Sequence, residues 1–173
     1  MGKTKPHLPV KLIIGLIFNQ EQILKKTLSL LIKKFGQPDY QSRILDFTYT
    51  DYYQPEFGQN LKKKIISFKK LIPPEKLAQI KTITNKIEQK FKTGHNRNIN
   101  IDPGYLNLAK LVLATTKDFA HRIYLGKGIY AEITLTYKGK TYCSHDWTYP
   151  DYRTQEYIEI FNNIRNIYCQ QTK

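Results

Sequence analysis

The sequence has little cysteine, few acidic residues and no long apolar run. Its two cysteines, Cys143 and Cys169, are too few for a disulfide framework or a four-ligand zinc site. No apolar segment approaches the roughly 20 residues that a membrane helix needs, and nothing after the basic residues 1–9 resembles a secretory signal. We therefore expect one cytoplasmic domain over residues 1–173 that does not enter a membrane, with residues 1–9 as a flexible basic N-terminus.

Three familiar nucleotide and nucleophile motifs are also missing from the sequence. There is no G-x-x-x-x-G-K-[ST] segment, no G-x-G-x-x-G after the first apolar run, and no G-x-S-x-G. These absences exclude a P-loop, a classical dinucleotide-binding turn and a hydrolase nucleophile elbow.

Positive charge is abundant but uneven along the chain. The 28 basic and 14 acidic residues give a net charge of +14, and residues 1–98 hold 19 of the bases with only 7 of the acids. A basic half favours a phosphate-rich partner, with RNA as one candidate. The excess is nearly all lysine, however, and a solvated lysine-rich surface explains it better, because nucleic-acid surfaces usually use arginine as well.

Hydrophobic periodicity in the first half predicts the order β-α-β-β-α-β. Asn19 is expected to cap the first helix, and Pro73 and Pro74 to open the second. The predicted strands cover residues 10–18, 42–50, 62–71 and 97–101. This order is typical of the ferredoxin-like split β-α-β arrangement.

The second half favours an antiparallel meander and a final helix. Residues 105–116 are apolar, and their pattern fits a helix and a strand equally. Residues 122–125 and 129–137 form a hairpin pattern around Gly126-Lys127-Gly128. A further strand is expected within residues 140–147. Thr154 can cap a last helix, whose apolar stripe consists of Tyr157, Phe161, Ile164 and Tyr168. The predicted fold class is therefore α+β in one domain.

Charged and aromatic residues cluster at predicted loops and strand ends, in residues 51–53 and 102–153, where functional groups are often mounted. The candidate catalytic residues are His121, as a proton shuttle, with Asp118 and Glu132. The candidate ligands for phosphate or substrate are Lys110, Lys117, Arg122, Lys127, Arg153, Tyr105 and Tyr149. Asp51 and Asp102 are candidate oxygen ligands for Mg²⁺.

Each cluster also has a purely structural interpretation. Asp102-Pro103-Gly104 is a sequence typical of an ordinary turn, and Gly126-Lys127-Gly128 is typical of a hairpin turn. His121 and Arg122 can form a structural pair, and Asp151 can help to cap the final helix. The functional interpretation therefore depends on convergence of several residues in space.

These segments resemble the prokaryotic domain-of-unknown-function family 4416. The resemblance covers nearly the whole chain and is carried by Asp51-Tyr52-Tyr53, Asp102-Pro103-Gly104-Tyr105, residues 110–118, residues 121–126, residues 128–132 and Trp147-Thr148-Tyr149-Pro150-Asp151-Tyr152. Some members are labelled as GTP-binding proteins, but the family implies no established activity. Thr116-Lys117-Asp118 is close to the guanine-reading T-K-x-D element and lacks its spacer residue.

Three functions remain open from the sequence. The first is binding of, or action on, a nucleotide-like phosphorylated small molecule, with Mg²⁺ as an optional cofactor, and it requires a pocket that joins Asp102, Asp118, His121 and Glu132. The second is an RNA-binding or RNA-processing domain with aromatic residues exposed on a sheet face. The third is a non-catalytic interaction module with an exposed apolar patch.

Overall fold

A nine-stranded antiparallel sheet spans the computed structural model, which describes residues 2–173. The strands are β1 (Lys11–Phe18), β2 (Pro38–Gln41), β3 (Leu45–Asp46), β4 (Lys62–Phe68), β5 (Ile99–Leu106), β6 (Lys110–Thr115), β7 (Arg122–Gly126), β8 (Ile129–Lys138) and β9 (Thr141–Ser144). Their spatial order is β2-β4-β1-β5-β6-β8-β7, with β3 also on β4 and β9 also on β8. The helices are α1 (Glu21–Phe35), α2 (Gln54–Phe57), α3 (Leu77–Gln89) and α4 (Gln155–Gln171).

Two helical connections organise the first half of the sheet. The connection through α1 joins β1 to β2, which run the same way with β4 between them. The connection through α3 joins β4 to β5, which run the same way with β1 between them. Both therefore have the split β-α-β form. A ferredoxin-like fold for this half is not confirmed and stays a prediction, because the sheet continues without a break into β6, β8 and β7.

The sheet is covered on both faces. All eight residues of β1 are buried, and its alternate side chains enter different cores. Leu12, Ile14 and Leu16 pack under α1 and α3, whereas Ile13 belongs to the core under α4. A strand buried on both faces needs the continuous apolar run seen here, since each fully buried aliphatic side chain contributes about 1.5–3 kcal/mol.

The predicted α4 is confirmed in detail. Thr154 precedes it and its Oγ1 accepts a hydrogen bond from Tyr157 N at 3.4 Å. The predicted stripe of Tyr157, Phe161, Ile164 and Tyr168 is buried. The hairpin of β7 and β8 around Gly126-Lys127-Gly128 is confirmed as well.

Three local predictions are wrong. The strand expected over residues 42–50 is replaced by the short β2 and β3, because Ser42 Oγ accepts a hydrogen bond from Ile65 N and interrupts the regular ladder. Asn19 does not cap α1; its Nδ2 donates to Phe57 O instead. Asp102-Pro103-Gly104 is not a turn, since all three residues lie within β5.

Residues 2–9 are exposed and contain no helix or strand, and Tyr168 Oη donates to Pro9 O at 2.8 Å. Within residues 2–173, no helix combines the length and the apolar character needed to cross a bilayer.

Candidate functional site

The sheet opens between β5 and β6. Their ladder joins only residues 104–106 to residues 111–113, so the first half of β5 pairs with β1 alone. Gly104 permits the close approach where the two strands meet, because a Cβ atom there would lie 2.4 Å from Val112 O. Beyond this point the strands diverge and leave a space that other elements line.

That space is a cavity of about 800 Å³. Its walls come from residues 47–56, the inner side of α3, the start of β5, residues 113–117 and residues 149–152. Five carboxylates lie in these walls: Glu56, Glu88, Asp102, Glu132 and Asp151. The cavity is therefore strongly polar, and its character depends on how these charges are compensated.

Arg97 compensates two of the carboxylates. Its Nε and Nη2 donate to the two oxygens of Glu56 at 2.7 and 2.8 Å, and its Nη1 donates to Glu88 Oε2 at 3.4 Å. The bonds from Arg97 lower the pKa of Glu56, whereas burial raises the pKa of Glu88. Glu88 also accepts a hydrogen bond from Ile101 N at 2.6 Å, which ties α3 to β5.

Lys81 and Asn100 occupy both oxygens of Asp102. Lys81 Nζ donates to Asp102 Oδ1 at 3.3 Å and to Ile101 O at 2.9 Å. Asn100 Nδ2 donates to Asp102 Oδ2. Lys81 is buried although it carries a charge, and these two acceptors hold its ammonium.

A fully buried ion pair lies at the base of the cavity. Lys63 Nζ contacts Asp151 Oδ2, and both side chains are almost inaccessible to solvent. The ammonium of Lys63 also lies 4.3 Å from the centroid of the Tyr152 ring. A buried charge of this kind is tolerated only with such compensation.

Glu132 closes the cavity on the β8 side. Its Oε2 accepts from Arg122 Nε at 3.0 Å and lies 3.1 Å from His121 Nε2, while its Oε1 accepts from Thr134 Oγ1 at 3.2 Å. Arg122 Nη2 also donates to Tyr149 Oη at 3.0 Å. Arg122 therefore links a buried carboxylate to the cavity wall.

Two lysines of the cavity have no carboxylate partner within residues 2–173: Lys92 and Lys117. Lys117 Nζ donates to Tyr52 Oη at 2.7 Å and lies 4.2 Å from the centroid of that ring. Tyr53 and Tyr149 also line the cavity, and burial raises the pKa of both phenols. These phenols consequently remain neutral near pH 7, beside an uncompensated positive charge.

The structure brings together part of the predicted site. Asp102, Lys117, Glu132 and Tyr149 line the cavity. His121 and Arg122 lie in a neighbouring shallow depression with Phe119, Asp146 and Trp147, where the His121 ring stacks on Trp147 at 5.2 Å. The pocket expected to join Asp102, Asp118, His121 and Glu132 thus contains only Asp102 and Glu132.

The other predicted residues lie outside the cavity. Asp118 is exposed before β7, Lys127 is at the β7–β8 turn, and Lys110 begins β6 at the far end from Lys117. Arg153 donates to Thr148 O at 2.7 Å and so holds a loop. Tyr105 packs on the core under α1 and α3.

The predicted metal ligands do not form a cluster. Asp51 is exposed and accepts a hydrogen bond from Gln54, while Asp102 is paired as described above. In the part of the chain that the structure describes, no group of three or more His, Cys, Asp or Glu side chains is arranged to hold a metal ion.

Sequence reasoning missed most of the other charged residues of the cavity: Glu56, Lys63, Lys81, Glu88, Lys92 and Arg97. One signal was present, because Lys81 lies four residues after the buried Leu77, and Glu88 lies four residues after the buried Thr84, on the same face of α3. Charges so close to the apolar stripe of a helix indicate a polar interior beside the core.

The fold and the site together define an α+β domain with a charge-paired cavity at an opening in its sheet. The chain belongs to the family described as Domain of unknown function (DUF4416), which matches residues 8–168. Comparisons with curated proteins and with solved structures found no match.

Proposed function

We propose that the cavity between β5 and β6 binds a phosphorylated small molecule that carries a planar ring, as a nucleotide does. The observation that carries this proposal is the charge pattern of the cavity. Every carboxylate in its walls has a cationic partner, with Arg97 shared between Glu56 and Glu88, whereas Lys92 and Lys117 have no carboxylate partner among the described residues. With Arg122 included, six cations face five carboxylates, so the net charge left for a ligand to neutralise is a single positive one.

A phosphate group suits this uncompensated charge. The ammonium of Lys117 has three N–H donors, and its bond to Tyr52 uses one of them. The remaining donors are free for an anionic oxygen, and such charge-assisted hydrogen bonds are the stronger kind. A carboxylate ligand would contact the same lysines, so the test compares phosphorylated ligands with dicarboxylates.

The tyrosines favour a ring beside the phosphate. Tyr52, Tyr53 and Tyr149 line the cavity, and Tyr52 holds the Lys117 ammonium, so aromatic surface lies in the same cavity as the phosphate-binding group. The volume of about 800 Å³ lies within the range of roughly 300–1,000 Å³ found for small-molecule sites.

The four residues that the sequence hypothesis required do not share one pocket, so the proposal is one of binding alone and assigns no proton transfer to His121. That side chain lies in the neighbouring depression and contacts the cavity only through Glu132. A long RNA strand fits less well than a small molecule, because the lysines without a carboxylate partner lie within a cavity of about 800 Å³, whereas single-stranded RNA needs a basic groove along its backbone.

Thermal unfolding with a panel of ligands tests the proposal. The panel contains nucleoside mono-, di- and triphosphates, sugar phosphates, unphosphorylated nucleosides, dicarboxylates and a short single-stranded RNA, each with and without Mg²⁺. Ligands that bind only the native state raise Tm. We expect at least one small phosphorylated ligand to raise Tm while its unphosphorylated form does not.

The variant Lys117→Ala should weaken binding of that ligand by about 10–100-fold, which corresponds to the roughly 1.5–3 kcal/mol of a hydrogen bond to a charged group. Lys127→Ala is the matched control, since it removes the same charge from an exposed turn outside the cavity. Equal losses in the two variants would indicate nonspecific attraction. A panel without any phosphate-dependent shift would contradict the proposal.

A further inference from the structure

One tyrosine at the base of the cavity carries a polar group without a partner. Tyr152 lines the cavity and is only 3% exposed. Its hydroxyl forms no hydrogen bond with any other group of residues 2–173. Polar atoms of side chains buried this deeply almost always have a partner. The hydroxyl of Tyr152 therefore indicates that its partner is a molecule that enters the cavity.

The position of this phenol is fixed by its neighbours. Phe161 stacks on the ring of Tyr152 with the two centroids 5.3 Å apart, and the ammonium of Lys63 lies 4.3 Å from the centroid of the same ring. Gly15 of β1 leaves room for the hydroxyl, since a Cβ atom at that position would lie 3.3 Å from Tyr152 Oη. The ring is therefore held by packing, while its hydroxyl stays available for a ligand.

The charges of the cavity differ between its base and its mouth, the side open to solvent. Lys92 and Lys117, the two lysines left without a carboxylate partner in residues 2–173, are exposed. Lys63 at the base is buried and paired. Tyr149 connects the two levels, because it is 43% exposed and its ring centroid lies 6.4 Å from that of Tyr152. The mouth consequently favours an anionic group and the base a neutral one.

We propose that Tyr152 is the specificity-determining residue of the cavity, and that its hydroxyl donates a hydrogen bond to a neutral acceptor on the ring of the ligand, such as a ring carbonyl or a ring nitrogen. This inference rests on the proposed function and gives the bound molecule a direction, with the phosphate at the mouth and the ring at the base. Burial raises the pKa of Tyr152, so the phenol keeps its proton and acts as the donor. A charged group on the ring fits poorly, because Asp151 already neutralises Lys63.

Ligand titrations of Tyr152→Phe test the proposal. The probes are the common ribonucleoside monophosphates and phenyl phosphate, whose ring carries no acceptor. In the unmodified chain the best nucleotide should bind at least about tenfold more tightly than phenyl phosphate. Tyr152→Phe should remove most of this advantage, since it weakens nucleotide binding about tenfold and leaves the binding of phenyl phosphate unchanged.

Tyr157→Phe is the matched control. The hydroxyl of Tyr157 is also buried without a partner in residues 2–173, but Tyr157 is not part of the cavity wall. In the absence of ligand both variants should keep the Tm of the unmodified chain, because neither loses a hydrogen bond within the protein. Only Tyr152→Phe should change the affinity for nucleotides.

The possible outcomes separate this inference from the proposed function. Nucleotide binding that Tyr152→Phe leaves unchanged would overturn the role of Tyr152 while the cavity remained a phosphate site. An equal loss for nucleotides and phenyl phosphate, or a lower Tm of the unliganded Tyr152→Phe variant, would mean that the hydroxyl supports the fold rather than the ring of the ligand, and would overturn it as well. If no phosphorylated probe binds, both proposals are wrong.

Discussion

Lysine has two different roles in this protein, and position within the fold decides between them. Most lysines are on the surface, but the side chains of Lys11, Lys63 and Lys81 are buried and each pairs with an aspartate. A buried ammonium is costly unless it is paired and hydrogen-bonded, so these three residues depend on their partners. The net charge of the chain consequently says little about the charge at its site.

Lys63 and Asp151 should be strongly coupled in stability. Asp151→Leu leaves the ammonium of Lys63 buried without its carboxylate, and we expect the free energy of unfolding to fall by about 3–5 kcal/mol. Adding Lys63→Met removes the stranded charge, and the double variant should recover most of that loss. Urea unfolding of the single and double variants, analysed as a double-mutant cycle, measures the coupling.

The matched pair for this cycle is Arg43 with Glu156, which is also an ion pair but is exposed. Breaking that surface pair should cost less than about 1 kcal/mol. Additive losses at Lys63 and Asp151, or a coupling no larger than that of the surface pair, would contradict the buried-charge account.

At the scale of elements, the periodicity of apolar residues predicted helices and hairpins, whereas it did not predict the hydrogen bonds that decide strand pairing. The stripe of α4 and the hairpin of β7 and β8 follow directly from spacing and turn residues. Over residues 42–50, Leu45 and Phe47 are buried as the alternation predicts, yet only β3 retains strand pairing there. Burial follows from the side-chain pattern, whereas pairing also depends on contacts such as that of Ser42, which are distant in sequence.

Pro103 and Gly104 illustrate a second limit. The pair is typical of a turn, but both residues lie within β5. Proline cannot donate to a ladder, and it stands just before the position where the ladder to β6 begins. The turn prediction was wrong because the interruption that Pro103 causes lies in the ladder between β5 and β6 and not in the course of the chain.

Thr154 should stabilise α4 through its cap. Thr154→Ala removes the acceptor for Tyr157 N and the donor to Asp151 O, and we expect a loss of about 1 kcal/mol. Thr172→Ala at the exposed C-terminal end removes a comparable hydroxyl bond to Tyr168 O and should cost less than about 0.5 kcal/mol. Urea midpoints compare the two variants, and equal losses would argue against a capping role.

At the scale of the whole molecule, the candidate site was predictable only as a set of clusters. Glu132 and Asp102 are far apart in sequence. They line the same cavity because β5 and β6 separate while β8 pairs with β6. Arg97 and Glu56 form an ion pair in the cavity wall, and neither lies in a recognisable sequence motif. Spacing along the chain cannot reveal such convergence, because strand order brings these residues together.

The burial of several tyrosines against the sheet makes the stability of the molecule sensitive to alkali. Burial raises the pKa of Tyr53, Tyr142, Tyr152 and Tyr157. The unfolded chain releases these protons near pH 10, while the native state holds them to higher pH. The stabilisation is therefore complete below about pH 10 and is lost as pH rises beyond it, by up to ~1.4 kcal/mol per pH unit for each such tyrosine.

Two tyrosine variants separate this effect from the titration of lysines, which is common to all variants. The hydroxyl of Tyr157 is buried without a hydrogen-bond partner in residues 2–173, so Tyr157→Phe should cost little near pH 7. Tyr142 Oη donates to Asn107 O at 3.0 Å, and Tyr142→Phe should cost about 1 kcal/mol there. Above about pH 10 each variant should lose stability more slowly than the unmodified chain, by close to one proton in the pH slope. Urea midpoints measured from about pH 8 to 11 give these slopes; an unchanged slope for Tyr157→Phe would mean that its phenol does not titrate on unfolding, and the alkaline sensitivity would then have another source.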